Sequence, residues 1–209
     1  MTVVIPGGES GDIVAGTNAF ADYLDLRTAV LEQLGRTDIA DVFPRLVGKA
    51  EARFNRELRF REQITDGTVT MAGGRGTLPT NFAEMISVHA ANGYEYPAQT
   101  MQYASQHGYY YSIQGSDMVS SQISGDVGIS YYATIPPLAE TVTTTNWLLA
   151  RYPEVYEYAT LFEAAKQVRD GETAAAADTM MRGAIVDARA DDNRSRYSRA
   201  RVRVQGCTP

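Results

Sequence analysis

Residues 130–170 read SYYATIPPLAETVTTTNWLLARYPEVYEYATLFEAAKQVRD, and this stretch changes from strand-forming to helix-forming sequence. The two prolines of residues 135–138 offer no backbone N–H to a sheet and favour an extended exit from it. Asn146 can then cap a short turn that contains Trp147, and Pro153 suits the first turn of a longer helix. The stretch therefore predicts a junction where a β segment ends and a helical segment begins.

Helical spacing continues on the C-terminal side of this junction. The helix that begins at Pro153 is expected to reach about Asp170, where Gly171 breaks it, and a last helix is expected from Glu172 to about Ala190. The first of these helices has a predicted buried stripe of Val155, Tyr158, Ala159, Phe162 and Ala165. The last one is expected to pack through Ala177, Met180, Met181, Ala184, Ile185 and Ala188.

Two further amphipathic helices are predicted towards the N-terminus. One runs from Ala19 to Leu34 and stops at Gly35, with apolar positions at Phe20, Tyr23, Leu24, Val30, Leu31 and Leu34. The next is capped by Asp38, contains Pro44 in an early turn and reaches about Glu62. Its predicted buried positions are Leu46, Val47, Ala50, Phe54 and Leu58. Its opposite face is interpreted as mainly solvated or subunit-facing: Glu51, Arg53, Arg56, Glu57, Arg59 and Arg61.

Between about residues 64 and 135 the sequence is rich in Gly, Ser, Thr and Tyr. Short apolar alternations at 68–71, 85–89 and 109–113 are separated by turn-forming pairs, which predicts a small antiparallel β module. Tyrosines provide large, half-polar faces that suit either a core or a protein contact, and we favour the core. They are Tyr94, Tyr96, Tyr103, Tyr109, Tyr110, Tyr111, Tyr131 and Tyr132.

The predicted fold class is α+β: a bundle of about four helices with a small antiparallel β module inserted between the second and third helices. Extended arms are expected at both ends. The expected division is an N-terminal arm at 1–18, a helical bundle formed by 19–62 and 146–190, the β module with its return link at 63–145, and a basic C-terminal arm at 191–209.

Composition and charge restrict the class of protein. A chain of 209 residues, 44% hydrophobic and 21% charged, fits one compact domain, or one domain that carries a small insertion. It has neither a long apolar window nor a basic leader, so we expect no membrane contact and a cytoplasmic place of synthesis. Residues 189–203 carry a charge of +4, which leaves −10 for the rest of a chain whose net charge is −6. An acidic body argues against nucleic-acid binding, since duplex affinity depends on many cationic contacts to phosphate.

Motifs for catalysis and for cofactor binding are missing from the sequence. Residues 73–76 are glycine-rich but lack the lysine and the following helix of a phosphate-binding loop, so a turn is expected. His89 and His107 have no metal-site spacing, and Cys207, the single cysteine, is expected to be a free thiol. We therefore predict no catalytic, metal or cofactor site. Paired carboxylates could still serve glycoside hydrolysis, and the candidates are Glu84, Glu95, Asp117 and Asp126.

Six motifs occur in order along the chain: KAEARFNRELR at 49–59, LPTNFAE at 78–84, YY at 131–132, IPPL at 135–138, NWLL at 146–149 and YPEVY at 152–156. Together they resemble the adaptor family of tailed-phage head-completion proteins, which includes podovirus tail accessory factors. The resemblance covers about residues 20–190, whereas the glycine-rich start and the arginine-rich end lie outside it.

The resemblance implies a structural virion protein at the head-to-tail junction and no enzymatic activity. It implies a homo-oligomeric ring, a dodecamer, that binds the portal protein and the next tail or nozzle/stopper protein. DNA would pass through the lumen without specific binding. Such a ring needs head-to-tail contacts between two different faces of each subunit.

The resemblance also implies that the C-terminal segment reaches the portal. Arginines that pair with carboxylates and a tyrosine anchor suit an arm that becomes ordered on docking. The predicted portal-binding residues are Arg194, Arg196, Tyr197, Arg199, Arg201, Val202, Arg203 and Val204. A solvated basic tail is the alternative for this segment. Two alternatives for the whole chain are a virion-associated cell-wall glycosidase and a nucleic-acid-binding module that uses the basic tail.

Overall fold

The computed structural model describes residues 19–197, and the predicted α+β class is confirmed. The α-helices of this range are α1 (Tyr23–Leu34), α2 (Phe43–Glu57), α3 (Met101–Ala104), α4 (Trp147–Arg151), α5 (Pro153–Val168) and α6 (Gly171–Tyr197). Its strands are β1 (Ile64–Met71), β2 (Arg75–Thr77), β3 (Phe82–His89), β4 (Ser112–Gln114), β5 (Asp117–Val119) and β6 (Gly125–Ala133). Two 3-10 helices, Ala40–Val42 and Arg61–Gln63, flank α2. The predicted arm at 1–18 and residues 198–209 lie outside the described residues.

The described chain forms two compact units, one from residues 19–50 and 137–185 and the other from 51–136 and 186–197. The boundaries fall within α2 and α6. The first unit contains the contacts of α5 with α1 and α4, and the second contains all six strands.

The strands form two antiparallel three-stranded sheets, in the orders β1-β6-β3 and β2-β5-β4. In the larger sheet Ile64 lies opposite Tyr132 and Met71 opposite Gly125. Alternation along these strands buries one face, which packs into a core that includes Val69, Met71, Val88, Met118, Ile123, Val127 and Ile129. The other face of β1 and β6 is largely exposed.

The start of α1 differs from the prediction. Asp22 caps the helix, and its Oδ1 accepts hydrogen bonds from the backbone N–H of Leu24 at 2.9 Å and of Asp25 at 3.1 Å. The predicted start at Ala19 was therefore too early, because an N-cap satisfies the free N–H groups of the first turn and fixes where the helix begins. The predicted stop at Gly35 is confirmed, with φ of 63° at this residue.

The buried stripe predicted for α2 is confirmed at all five positions. Asp38 does not cap this helix but binds the guanidinium of Arg36 at 2.6 and 2.7 Å. The helix ends at Glu57 instead of about Glu62, and the 3-10 turn that follows is held by Gln63, whose Oε1 accepts from the Phe60 N–H at 2.9 Å. Glu51, predicted on the solvated face, is 6% exposed, which corrects that interpretation.

The junction read from residues 130–170 is confirmed in its main features. Asn146 caps α4, since its Oδ1 accepts from the Leu149 N–H at 3.0 Å, and Pro153 is the first residue of α5. Of the predicted α5 stripe, Val155, Ala159 and Ala165 are buried, whereas Tyr158 and Phe162 are only half-buried. The stripe is completed by four residues that the spacing missed: Tyr156, Thr160, Leu161 and Ala164.

Three predictions about the last helix were wrong. Gly171 does not break the preceding helix but begins α6, because Arg169 at φ 64° ends α5. Met180 does not pack inside, since it is 53% exposed. The helix continues to Tyr197 instead of about Ala190, so seven residues assigned to an extended arm are helical.

Most tyrosines of the β module do not lie in its core. Tyr111 and Tyr131 are buried, whereas Tyr94, Tyr103 and Tyr109 are exposed. The exposed ones lie in the segments between strands, where no alternation fixes the side on which a residue points. The preference for a core role is therefore wrong for these three.

Candidate protein-interaction surfaces

The C-terminal end of α6 is fixed to the strand-containing unit by a polar cluster. We call it the α6 latch, and its members are Arg59, Arg61, Tyr132, Asp192 and Arg196. Asp192 is 3% exposed; its Oδ1 accepts from the Arg61 backbone N–H at 3.3 Å, and its Oδ2 accepts from Arg196 Nε at 2.7 Å. A buried carboxylate requires such partners, because an unpaired buried charge is strongly unfavourable.

Arg196 donates hydrogen bonds within the latch from all three of its guanidinium nitrogens. Besides Asp192, it donates to the Tyr132 hydroxyl at 3.3 Å and to the Arg59 carbonyl at 3.0 Å. Burial lowers the pKa of Arg196, but the hydrogen bond to Tyr132 and the charge of Asp192 outweigh burial, so the pKa lies above its ordinary value. About two turns before Arg196, Arg189 donates to the Glu57 carbonyl at 2.7 Å. These contacts fix the position at which the chain leaves α6.

A group of aromatic rings is exposed on the strand-containing unit. Tyr96 packs edge-on against Tyr94, with ring centroids 5.5 Å apart, and stacks with Tyr109 at 6.1 Å. Tyr94 is 55% exposed and Tyr109 is 56% exposed. These three rings, with Ala90 and Asn92, line an open depression of about 490 Å³. Tyrosine is enriched in protein interfaces because it offers a large apolar ring together with a hydroxyl, so this surface suits protein contact.

Comparison with known proteins decides which kind of protein carries these surfaces. A family model described as SU10 adaptor protein matches residues 21–205. The chain belongs to the SU10 adaptor protein family. The resemblance to phage head-to-tail adaptors is thereby confirmed, and the match extends beyond the expected limit of about residue 190 into the arginine-rich end. No curated protein matches the chain.

Membership in the SU10 adaptor family makes the chain a structural protein of a phage particle, located at the head-to-tail interface. The latch and the exposed tyrosines are therefore surfaces of a virion component. Within residues 19–197, the helices are too short or too polar to cross a membrane.

Arg194 and Arg196 are the members of the predicted portal-binding set whose side chains are described. Arg194 has a side chain that is 78% exposed and lies 4.0 Å from an Asp191 oxygen, so it faces solvent. Arg196, in contrast, is turned towards its own subunit. Tyr197 is the last residue of α6, and Arg199, Arg201, Val202, Arg203 and Val204 lie outside the described residues.

The carboxylates considered for glycoside hydrolysis have different individual partners in this chain. Glu84 binds Arg59 at 2.6 Å, Asp117 lies 3.4 Å from Arg75, and Asp126 accepts from the Thr70 hydroxyl at 2.6 Å. Glu95 lies close enough to Tyr111 to raise the pKa of that phenol, an effect that adds to the larger one of burial. Glu84, Asp117 and Asp126 thus each interact with a different neighbouring side chain.

The two histidines of this chain also have local contacts. His89 Nε2 lies 2.7 Å from the Ser87 hydroxyl, and the ring of His107 stacks on Tyr103 with centroids 4.4 Å apart. In the described part of the chain, no group of three His, Cys, Asp or Glu side chains is arranged to hold a metal ion.

Proposed function

We propose that this chain is the subunit of a dodecameric ring that binds the portal protein, surrounds the DNA channel and joins the portal to the next tail or nozzle/stopper protein. The observation that carries the proposal is the family match over residues 21–205, which includes both units and most of the arginine-rich end. In this proposal the subunit is made in the host cytoplasm and enters the virion through its contact with the portal.

The portal contact is assigned to the C-terminal arm. Arg194 supports this assignment because it is exposed at the end of a helix whose position is fixed by the α6 latch. Arg196 is reassigned from portal binding to the latch, since each of its three guanidinium nitrogens already donates a hydrogen bond within the subunit. The remaining contact residues are Tyr197, Arg199, Arg201, Val202, Arg203 and Val204, whose arginines can pair with carboxylates of the portal.

The acidic body is suited to a conduit for DNA. The chain outside residues 189–203 carries a net charge of −10. Tight binding of DNA would need many cationic contacts to phosphate, and a lumen that repels phosphate lets the genome pass without being held.

Negative-stain imaging of the protein alone and mixed with its portal tests the proposal. We expect rings that cap the portal, and absence of any association between the folded protein and the portal would overturn the adaptor assignment. Deleting residues 198–209 tests the arm. This deletion leaves Asp192 and Arg196 in place, so the truncated protein should keep its fold and lose portal binding. Portal binding by the truncated protein would contradict the role given to the arm.

A further inference from the structure

One face of α2 carries three exposed positive charges, and two of them have no carboxylate partner among residues 19–197. Arg45, Lys49 and Arg56 are all exposed and follow each other at steps of four and seven residues, which places them on one side of the helix. Within residues 19–197, Arg45 and Arg56 contact no carboxylate, and Lys49 reaches only Glu163 at 3.9 Å. We call these three residues the basic stripe.

The open face of the larger sheet carries unpaired negative charge. Asp66 on β1 and Asp126 on β6 both point away from the core. Their described partners are hydroxyls: Asp66 accepts from Ser130, and Asp126 accepts from Thr70. In the described part of the chain neither carboxylate meets a cation. We call this pair the acidic face.

Glycine residues occur on both surfaces at places where the subunit itself does not need them. Gly48 lies in the middle of α2, and a Cβ added there would meet nothing within 4 Å. Gly128 lies in the middle of β6, and its added Cβ would come no closer than 3.7 Å to any atom. Neither residue has a positive φ. Glycine destabilises helix and strand interiors, and a strand glycine often marks the close approach of another backbone.

The two surfaces match in spacing as well as in charge. Arg45 and Arg56 are separated by about 16 Å along the helix axis, from the rise per residue. Asp126 sits on the strand next to Thr70, four residues along β1 from Asp66, so the two carboxylates lie about 14 Å apart. Arginine side chains are long enough to reach the carboxylates despite the small difference between these two separations. Gly48 has no side chain that would hold the helix away from a neighbour, and Gly128 has none that would hold a neighbour away from the sheet. The helix of one copy can therefore lie close to the sheet face of another.

We propose that the basic stripe of one subunit binds the acidic face of a second copy of this chain. The inference rests on the proposed ring and specifies the contact that closes it. Because the two surfaces are formed by different residues of the same chain, the contact is head-to-tail, and such a contact generates a ring when the rotation closes. Arg45, Arg56, Asp66 and Asp126 have no oppositely charged partner among the described residues of the subunit, and they gain one in the assembly.

Charge reversal with rescue tests this contact. One variant combines Arg45→Glu with Arg56→Glu, and the other combines Asp66→Lys with Asp126→Lys. Each variant alone should form about tenfold fewer rings on the portal than wild type, or none, because like charges then face each other across the interface. An equimolar mixture should restore rings, since alternating copies again present opposite charges at every contact. Ring formation is counted by negative stain, and circular dichroism checks that each variant is folded.

Matched controls change the same amount of charge elsewhere. Arg36→Glu with Arg182→Glu and Glu32→Lys with Asp187→Lys alter exposed residues outside both surfaces and should leave ring formation unchanged. Rings formed by either reversed variant alone, or no recovery in the mixture, would overturn the proposed contact while leaving the adaptor assignment intact. Loss of DNA affinity by the Arg45 and Arg56 variant, with rings unaffected, would reassign the stripe to DNA. Absence of wild-type rings on the portal would remove both proposals.

Discussion

Single residues fix the ends of helices and the connections between distant segments in this protein. Asp192 is the clearest case, because its carboxylate is buried and joins Arg61, which is 131 positions away in the chain, to Arg196 on its own helix. Its neighbour Asp191 has the same side chain but lies at the surface. Two adjacent aspartates therefore differ in role through burial alone.

Replacing Asp192 should weaken the fold. We expect Asp192→Ala to lower the free energy of unfolding by about 1–3 kcal/mol, because it removes the acceptor of a partly buried N–H and of a partly buried guanidinium. Asp191→Ala is the matched control, and its effect should stay within about 0.5 kcal/mol as is usual for exposed positions. Urea denaturation of the three proteins measures the differences. Equal effects of the two substitutions would show that the latch does not stabilise the subunit.

Gly76 is a position where only glycine fits. A Cβ at this residue would lie 2.5 Å from Val69 Cγ1 and 2.6 Å from Met71 Sδ, and both side chains belong to the buried core. We expect Gly76→Ala to lower the free energy of unfolding by about 1–3 kcal/mol through overpacking. Gly48→Ala should instead raise it by about 0.5–1 kcal/mol, since Gly48 is helical and unobstructed. Thermal unfolding shows whether each substitution lowers or raises stability. A Gly76→Ala variant that is more stable than wild type would contradict the packing argument.

At the scale of elements, helix starts are defined by side-chain caps. Asp22 caps α1, Asn146 caps α4 and Asp170 precedes α6, where its Oδ1 accepts from the Thr173 N–H at 3.1 Å. These caps explain the boundaries better than periodicity does, because they satisfy N–H groups that have no partner within the helix. Caps built from carboxylates also make the helix sensitive to pH.

Asp170 should link the stability of α6 to pH. Its hydrogen bonds to Thr173 hold the pKa of this carboxyl below its ordinary value of 3.8. A depressed pKa in the folded state stabilises the fold above the unfolded pKa, and this contribution is lost as pH falls through the folded pKa. Asp170→Asn keeps an acceptor but cannot titrate, so its stability should fall less than that of wild type between pH 5 and pH 3. Denaturation at several pH values measures the free energy of unfolding of both proteins. If it changes with pH equally in wild type and in Asp170→Asn, the assignment is contradicted.

At the scale of the whole molecule, the chain builds its second unit from residues 51–136 together with the end of α6. The described end of α6 therefore belongs to the strand-containing unit, where Arg196 contacts Tyr132 and Arg59. The predicted effect of deleting residues 198–209 belongs to this scale. Because the latch remains intact in that variant, a loss of portal binding would report on the arm itself.

Assembly is expected to depend on salt if the basic stripe and the acidic face meet. Exposed charges are screened over about 8 Å at physiological ionic strength and over about 3 Å at 1 M. Rings on the portal should therefore become fewer as salt is raised from 0.1 to 1 M. The Arg36 and Arg182 control variant should follow the same curve as wild type, and a ring count that does not change with salt would argue against a charged contact between copies.

The sequence by itself determined the local elements and the family. Apolar spacing predicted the buried side of α2, Asn146 and Pro153 predicted the starts of α4 and α5, and six ordered motifs indicated a phage adaptor. These features are readable because caps, proline and periodicity act between residues that are close in the chain.

Only the tertiary structure decided which charged and aromatic residues are available to a partner. Arg196 was predicted to bind the portal but is held by Asp192, Tyr132 and Arg59, and Tyr94 and Tyr109 were predicted to lie in the core but are exposed. The partners of Arg196 include residues 64 and 137 positions away, so no local pattern encodes them. Burial of a polar or aromatic side chain depends on which distant segments cover it, and that information exists only in the folded chain.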